Sequence, residues 1–361
     1  MPKKVVVLTL IAVLLLAALP MATAQDMEIS SVCLVTDVGR INDGTFNQYA
    51  YEGMEQAAED LELDTNFIET TAQTDYANNI ELCVGEGDII VTVGFLIADA
   101  TKAAAEQYPD KYFIGVDQFL QDGPTNYVGI QFREDQAGFL VGYIAGLVTE
   151  SNVVAGVYGI DIPPVVKFRN GFEQGVIYAE AETGKTIEKL GVYIDDFNAP
   201  DRGASAAEQF IGEGADVIFG AGGPTGSGGI LAAAQQDVYV IGVDQDEYFT
   251  TFGEGETPGV EYLITSALKR VDVGVYDLIE ALVNGDMENF PGGSIYVLDV
   301  TNGGITFAEK HDSDIADEIY EQAAAVQELL ASGELETGVD PVTGELLEGA
   351  VEPEATEEAS N

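Results

Sequence analysis

From Ile29 onward, apolar and polar positions follow two periods that take turns along the chain. Short β-branched runs of unbroken apolar character mark strands covered on both faces, and stretches with apolar residues every third or fourth position mark amphipathic helices. The spacing predicts strands over residues 29–35, 66–69, 88–93, 112–116 and 127–132, with helices over 49–60, 75–84 and 97–107. A second series runs strand 153–158, helix 166–179, strand 187–194, helix 204–211, strand 217–219, helix 228–235 and strand 238–243. Strict strand–helix alternation calls for parallel sheets with right-handed crossovers, hence an α/β protein of two similar lobes. Residues 112–118 (YFIGVDQ) are echoed by residues 239–245 (YVIGVDQ), each a buried-type strand that ends in an aspartate, Asp117 or Asp244. That echo supports an internal duplication. A helix over 269–283 and a strand over 294–300 follow without enough chain for a third domain, so they are expected to cross back between the lobes. The expected partition is 29–132 plus 262–286 for lobe 1, 133–261 plus 293–308 for lobe 2, a C-terminal helix over 313–332, and an acidic, disordered tail over 340–361.

The start of the chain departs from this pattern. Lys3 and Lys4 precede an apolar run over 5–19, and Ala22-Thr23-Ala24 follows with small residues flanking one position. This predicts a secretory signal peptide over 1–24 and a mature protein exported to the periplasm or cell surface. The apolar run is short for a membrane span, and no cysteine stands at the cleavage site to carry a lipid. The 361 residues hold 63 acidic and 14 basic side chains, a net charge of −49, and loss of Lys3 and Lys4 makes the mature chain more negative still. Such a surface repels nucleic acid and anionic lipid head groups. An apolar content of 46% excludes a generally disordered acidic chain. A saline or acidic habitat would explain the charge, and so would a demand for solubility. Cys33 and Cys83 either pair, as export would allow, or are two small buried residues. Two cysteines and a single histidine do not make a zinc site, and no metal or cofactor is expected.

Candidate chemistry gathers in a few loops. Residues 36–48 (TDVGRINDGTFNQ) join the first strand to the first helix, the place where open α/β sheets bind ligands. The loop carries Asp37, Asp43, Asn42, Asn47 and an exposed Phe46. Residues 220–229 (GAGGPTGSGG) form a second strand-to-helix loop in the context of a phosphate cradle. It lacks the lysine of a P-loop, and Pro224 interrupts the dinucleotide glycine spacing. Gly222 and Gly223 therefore either let backbone approach a neutral ligand or make a tight turn. His311 is the only imidazole and Ser227 lacks a nucleophile's frame, which removes histidine triads and HExxH zinc sites and favours a non-enzymatic protein. Carboxylate chemistry through Asp37, Asp43, Asp117 and Asp244 stays open. Lys269 and Arg270, cations in a chain short of them, are either surface ion-pair partners or donors to a ligand oxygen at a lobe hinge.

Taken together and in order, residues 36–48, Arg133-Glu134, 161–168 (DIPPVVKF), GGPTG from Gly222, IGVDQD from Ile241 and TSALKR from Thr265 resemble the basic membrane protein family of solute-binding proteins. That family includes the purine nucleoside receptor lipoproteins of spirochaetes, and the resemblance spans about 29–335. It implies a type I periplasmic-binding-protein fold, two parallel-sheet lobes joined by three crossovers around a cleft. It also implies a monomer that captures a nucleoside, purines favoured, and delivers it to an ABC transporter permease. Ligand contacts carried over by position fall on Asp37, Phe46, Asn47, Asp117, Asp244 and Lys269, with Asp246 as a second candidate for the role of Asp244. Phe46 would stack on a base, Asn47 would read its edge, Asp117 would accept from the base, and Asp244 with Lys269 would grip ribose hydroxyls. The glycine loop and Asp244 would form the opposing jaw, and Asn42 and Asp43 would shape the turn. Ile230 stands where relatives often carry an aromatic, so Phe168 and Phe197 are candidates for a second stacking ring. The lipobox cysteine of many relatives is absent. Alternatives are a receptor for a sugar or other small polar solute, a sensory receptor and, less favoured, a nucleoside-hydrolysing enzyme.

Overall fold

A computed structural model describes residues 29–351; the expected signal peptide and the last ten residues of the expected tail lie outside the described residues. Two six-stranded sheets account for the two series of strands. The first contains β1 (Ser31–Val38), β2 (Asp64–Thr70), β3 (Ile89–Val93), β4 (Tyr112–Val116), β5 (Tyr127–Phe132) and β11 (Ile295–Leu298), in the order β11-β5-β4-β3-β1-β2, all parallel. The second contains β6 (Val153–Tyr158), β7 (Glu188–Tyr193), β8 (Val217–Ala221), β9 (Tyr239–Asp244), β10 (Leu263–Lys269) and β12 (Ile305–Phe307), in the order β12-β10-β9-β8-β6-β7, with only β12 antiparallel. Helices α1 (Phe46–Leu61), α2 (Tyr76–Val84), α3 (Ala98–Gln107) and α8 (Val271–Val283) belong with the first sheet. Helices α4 (Glu134–Val148), α5 (Pro163–Thr183), α6 (Pro200–Glu213), α7 (Pro224–Ala234) and α9 (Asp317–Ser332) belong with the second. Central strands such as β3 are buried at every position, as continuous β-branched runs between helical layers must be.

The chain passes between lobes three times: from β5 into α4, from β10 into α8, and from β11 to β12. This corrects the expected partition. Residues 263–269, assigned to lobe 1, pair with β9 and extend the second sheet, because the crossover follows Lys269 instead of preceding Leu263. Residues 295–298, assigned to lobe 2, pair with β5 in the first sheet. The helix expected over 269–283 begins at Val271, and Lys269 remains strand.

Helix α4, in the stretch between the two series, is buried along almost its whole length. Gly138, Gly142 and Gly146 recur every fourth residue and face Gly171, Gly175 and Ala179 of α5. A Cβ on Gly142 would overlap the Phe172 carbonyl, and one on Gly175 the Phe139 carbonyl. The two backbones thus touch directly, which fixes the start of α5 against the first crossover.

The expected tail also needs correction, because its first part is ordered to Val351. Asn170 Nδ2 donates to the Gly344 carbonyl at 2.7 Å, Gln174 Nε2 to the Val351 carbonyl at 2.6 Å, and Thr337 Oγ1 to Asp135 Oδ2 at 2.5 Å. Buried Val339 pairs with Leu346 in an isolated bridge. Residues 337–351 form a strap along α5 that acidic composition alone conceals. Cys33 and Cys83 form a disulfide between β1 and α2, with Cα atoms 5.5 Å apart, which settles the open question of their pairing. No described helix is long and apolar enough to cross a membrane.

Candidate ligand cleft

The loop over 36–48 is held rigid by its own polar residues. Asp43 caps α1, accepting from the amides of Thr45, Asn47 and Gln48 at 3.0–3.1 Å, which makes it a turn-former. Asn47 donates from Nδ2 to Asp43 Oδ2 at 2.9 Å and accepts at Oδ1 from the Asp37 backbone amide at 2.9 Å. Half of its amide capacity is thereby committed to the loop, leaving one N–H and one lone pair. The Asp37 carboxylate, 5% exposed, accepts from the Tyr76 hydroxyl and the Val38 amide. Burial holds it above the usual carboxylate range, against the pull of those two donors. Phe46 opens α1 with its ring toward the cleft.

The duplicated strand ends behave alike. Asp117 (φ 61°) and Asp244 (φ 64°) both adopt the left-handed conformation that aspartate tolerates better than most residues. Each chain turns sharply there and sends its carboxylate into the space between the lobes. Asp117 Oδ2 pairs with Lys269 Nζ at 2.7 Å, while Oδ1 is buried without a hydrogen-bond partner. Lys269 also meets Glu134 Oε1 at 2.9 Å. Glu134 Oε2 meets Lys167 Nζ at 2.5 Å, and Lys167 donates to the Phe132 carbonyl at 2.9 Å. This chain of charges is almost wholly buried and sits at the first two crossovers, since Glu134 opens α4 and Lys269 closes β10. Lys269 Nζ further lies 4.9 Å from the Phe46 ring centre and 4.8 Å from that of Phe132, a cation among aromatic faces.

Burial pushes Asp117 up to about 6 although Lys269 opposes it, and pushes Asp244 up to about 7 against the same lysine. Burial acts to lower Lys269, but Asp117, Glu134 and Asp244 outweigh it and hold the ammonium charged well above neutrality. In Glu134 burial is likewise outweighed, by Lys167 and Lys269, and the carboxyl stays below its usual range.

The second lobe supplies the other wall. Pro164, Val165 and Phe168 at the start of α5, Phe197 in the loop before α6, and Ala221 at the end of β8 with Gly222 and Gly223 after it line one cavity with Asp37, Phe46, Asn47, Asp117, Asp244 and Lys269. Together they border about 560 Å³ of atom-free space, open solvent at the mouth included. The two readings of the glycine loop coincide. A Cβ on Gly222 would collide with the Gly159 backbone, and Gly223 takes φ 58° just before Pro224 starts α7. The tight turn is also what brings bare backbone to the cavity.

Asp246, the second candidate for the role of Asp244, does not reach the cleft. Its carboxylate lies 2.7 Å from His311 Nε2 and accepts from the Tyr248 amide. The left-handed turn at Asp244 carries the following residues away, so only the first aspartate of IGVDQD points inward. Sequence reasoning gave no chemical role to Glu134 or Lys167, although both lie in the motifs RE and DIPPVVKF, and passed over Tyr76, Asn198 and Gln245. The last two bridge the lobes. Asn198 Nδ2 donates to the Val38 carbonyl at 2.8 Å and Gln245 Nε2 to the Thr45 carbonyl at 3.0 Å, so the lobes are closed on one another.

Two α/β lobes, three crossovers and a cavity walled by both define a solute-binding protein of the periplasmic type. More narrowly, the chain belongs to the family described as "ABC transporter substrate-binding protein PnrA-like", which it matches over residues 30–339. It is 30% identical over 328 residues to the CD4+ T-cell-stimulating antigen of Listeria monocytogenes, covering 86% of this chain and 88% of that one. It is 26% identical over 342 residues to the ABC transporter nucleoside-binding protein BmpA of Lactococcus lactis, covering 88% and 95%. A solved structure of an ABC transporter solute-binding protein from Aeropyrum pernix K1 superposes with a TM-score of 0.75 at 25% identity, covering 85% of this chain and 92% of that one.

Proposed function

We propose that this protein is an exported, monomeric receptor that captures a nucleoside, purines favoured, and hands it to an ABC transporter permease without altering it. The observation that carries this reading is the composition of the cavity. Phe46, Phe168 and Phe197 offer ring faces or edges to a planar base, Asp117 Oδ1 is an acceptor left over by the protein's own hydrogen bonding, and the Asp244 carboxyl lines the cavity ready to bond a ligand hydroxyl. A buried carboxylate oxygen without a donor is costly unless a ligand supplies one. Nucleosides combine a planar aromatic part with several O–H and N–H donors, and they carry no charge that this acidic site would reject. The name borne by the Lactococcus lactis relative is consistent with that chemistry. Calorimetric titration of the mature chain with adenosine, guanosine and inosine is expected to give saturable heat. Heat from sugars but from none of the three nucleosides would overturn the assignment.

The pair of strand-end aspartates also suits a sugar, whose hydroxyls would bridge them beside an aromatic platform. The ultraviolet spectrum of whatever co-purifies separates the two, since a nucleobase absorbs near 260 nm (about the wavelength of its ring transitions) and a sugar does not.

A further inference from the structure

Asp244 stands out among the acids around the cavity. Asp37 accepts from Tyr76 and Val38, Asp43 from three backbone amides, and Glu247 from the Val243 amide and the Thr251 hydroxyl. Asp117 and Glu134 share the two buried ammonium groups, Lys269 and Lys167. The Asp244 carboxylate, 6% exposed and lining the cavity, accepts no hydrogen bond from any described residue. The charged groups that face it are Lys269 from β10, Asp117 after β4, Asp43 from the first-lobe loop and Glu247 from the turn after β9. One of the four is positive, and that lysine already serves two other carboxylates. Three buried acids, Asp117, Glu134 and Asp244, thus share two cations, and a charge left over in such a place is expelled or neutralised.

We propose that Asp244 is the neutral acid when the cleft is closed, so that capture of the ligand takes up a proton and the ligand meets a hydroxyl donor at this position instead of an anion. The proposal rests on this cavity being the ligand site, and not on the ligand being a nucleoside. It fits the raised position of Asp244, about 7, which burial imposes and Asp117, Asp43 and Glu247 reinforce against Lys269. In an open cleft the same carboxyl is solvated and titrates in the ordinary carboxylate range. The sign follows from linkage: a group raised on closure favours closure fully below its open-state value, and the benefit is gone once the pH has risen past about 7. Of the two strand-end acids, Asp244 holds the proton because Lys269 sits against Asp117.

The test is calorimetry of the mature chain with inosine in two buffers of different ionisation heat, phosphate and imidazole, across about pH 6 to 8. Uptake of nearly one proton per ligand at the acid end is expected, falling toward zero at the alkaline end, with affinity dropping by up to about tenfold per pH unit where the slope is steepest. Asp244→Asn, which is neutral at every pH, is expected to lose the proton uptake seen near pH 7, to bind with an affinity that no longer falls between pH 7 and 8, and to bind more tightly than the unmodified protein at the alkaline end. A wild-type protein that exchanges no proton overturns the proposal. So does an Asp244→Asn variant that is folded by circular dichroism yet fails to bind across the range, since the negative charge would then be required. If adenosine, guanosine and inosine all give no heat, the nucleoside reading fails, and the same proton count with the sugar that does bind decides this proposal separately.

Discussion

Lys269 shows how much one side chain can carry. It closes β10, holds Asp117 of the opposite lobe, holds Glu134 at the neighbouring crossover, and faces the Phe46 ring. Lys269→Met keeps the apolar stem but strands buried Asp117 and leaves Glu134 with Lys167 alone, and removing one partner of a buried pair typically costs about 3–5 kcal/mol. Urea denaturation at neutral pH should register a loss of that order; a variant as stable as the parent would show that the acids are neutral without the lysine. Phe46→Ala should weaken ligand binding by at least the ~0.5–1.5 kcal/mol of an aromatic pair, with a stability loss below the ~3–5 kcal/mol of a fully buried phenylalanine, since the ring lines the cavity and packs only partly against the core. Most of the site's individual residues were legible because their position was: strand-end Asp37, Asp117 and Asp244 sit where α/β sheets bind ligands, and cations are rare enough here to draw attention to Lys269. Choosing Asp244 over Asp246 was not legible, because a left-handed φ at the first is a tertiary choice. The partnership of Glu134, Lys167 and Lys269 was equally hidden, because it joins three elements far apart in the chain.

Elements were more legible in type than in membership. Periodicity located the strands of the two series, yet it did not mark β10 as a strand and placed its residues in the first lobe, and it put β11 in the second, because hydrophobic pattern records that a segment is buried and not beside which neighbour. Helix α4, apolar on nearly every face, offers no helical stripe at all, since it is covered by α5, α9 and the second sheet's edge. Its glycines are what the packing requires, and Gly142→Leu should separate α4 from α5 and lower stability by more than the ~1–3 kcal/mol typical of overpacking. Thermal unfolding would show it. The cross-cleft amides act at the same scale. Asn198→Ala and Gln245→Ala each remove one hydrogen bond of the closed state, about 0.5–1.5 kcal/mol, so each should weaken ligand affinity by roughly two- to twelve-fold. Small-angle scattering of the ligand-free double variant should give a larger radius of gyration than the parent; an unchanged radius and affinity would mean the bridges do not hold the lobes together.

At the scale of the whole molecule, charge is the dominant quantity. A net −49 on 361 residues opposes the compact state through self-repulsion, and added salt shortens the range of that repulsion, to about 3 Å at 1 M. Melting temperature should therefore rise as sodium chloride is raised from dilute to molar concentrations, and a flat or falling curve would contradict this account. The same acidity hid the strap over 337–351, where a few buried contacts order a segment that composition assigns to solvent. The cysteine pair has a consequence of another kind. Both cysteines are fully buried, one on the strand that carries Asp37 near its end and the other on the helix whose first residue, Tyr76, holds that aspartate. A thiol reductant can reach the bond only when α2 lifts from the sheet, so the rate of reduction under native conditions is a clock for that local opening. Ligand in the cleft should slow the clock, linking a redox measurement on the outer layer of one lobe to occupancy of the site between them.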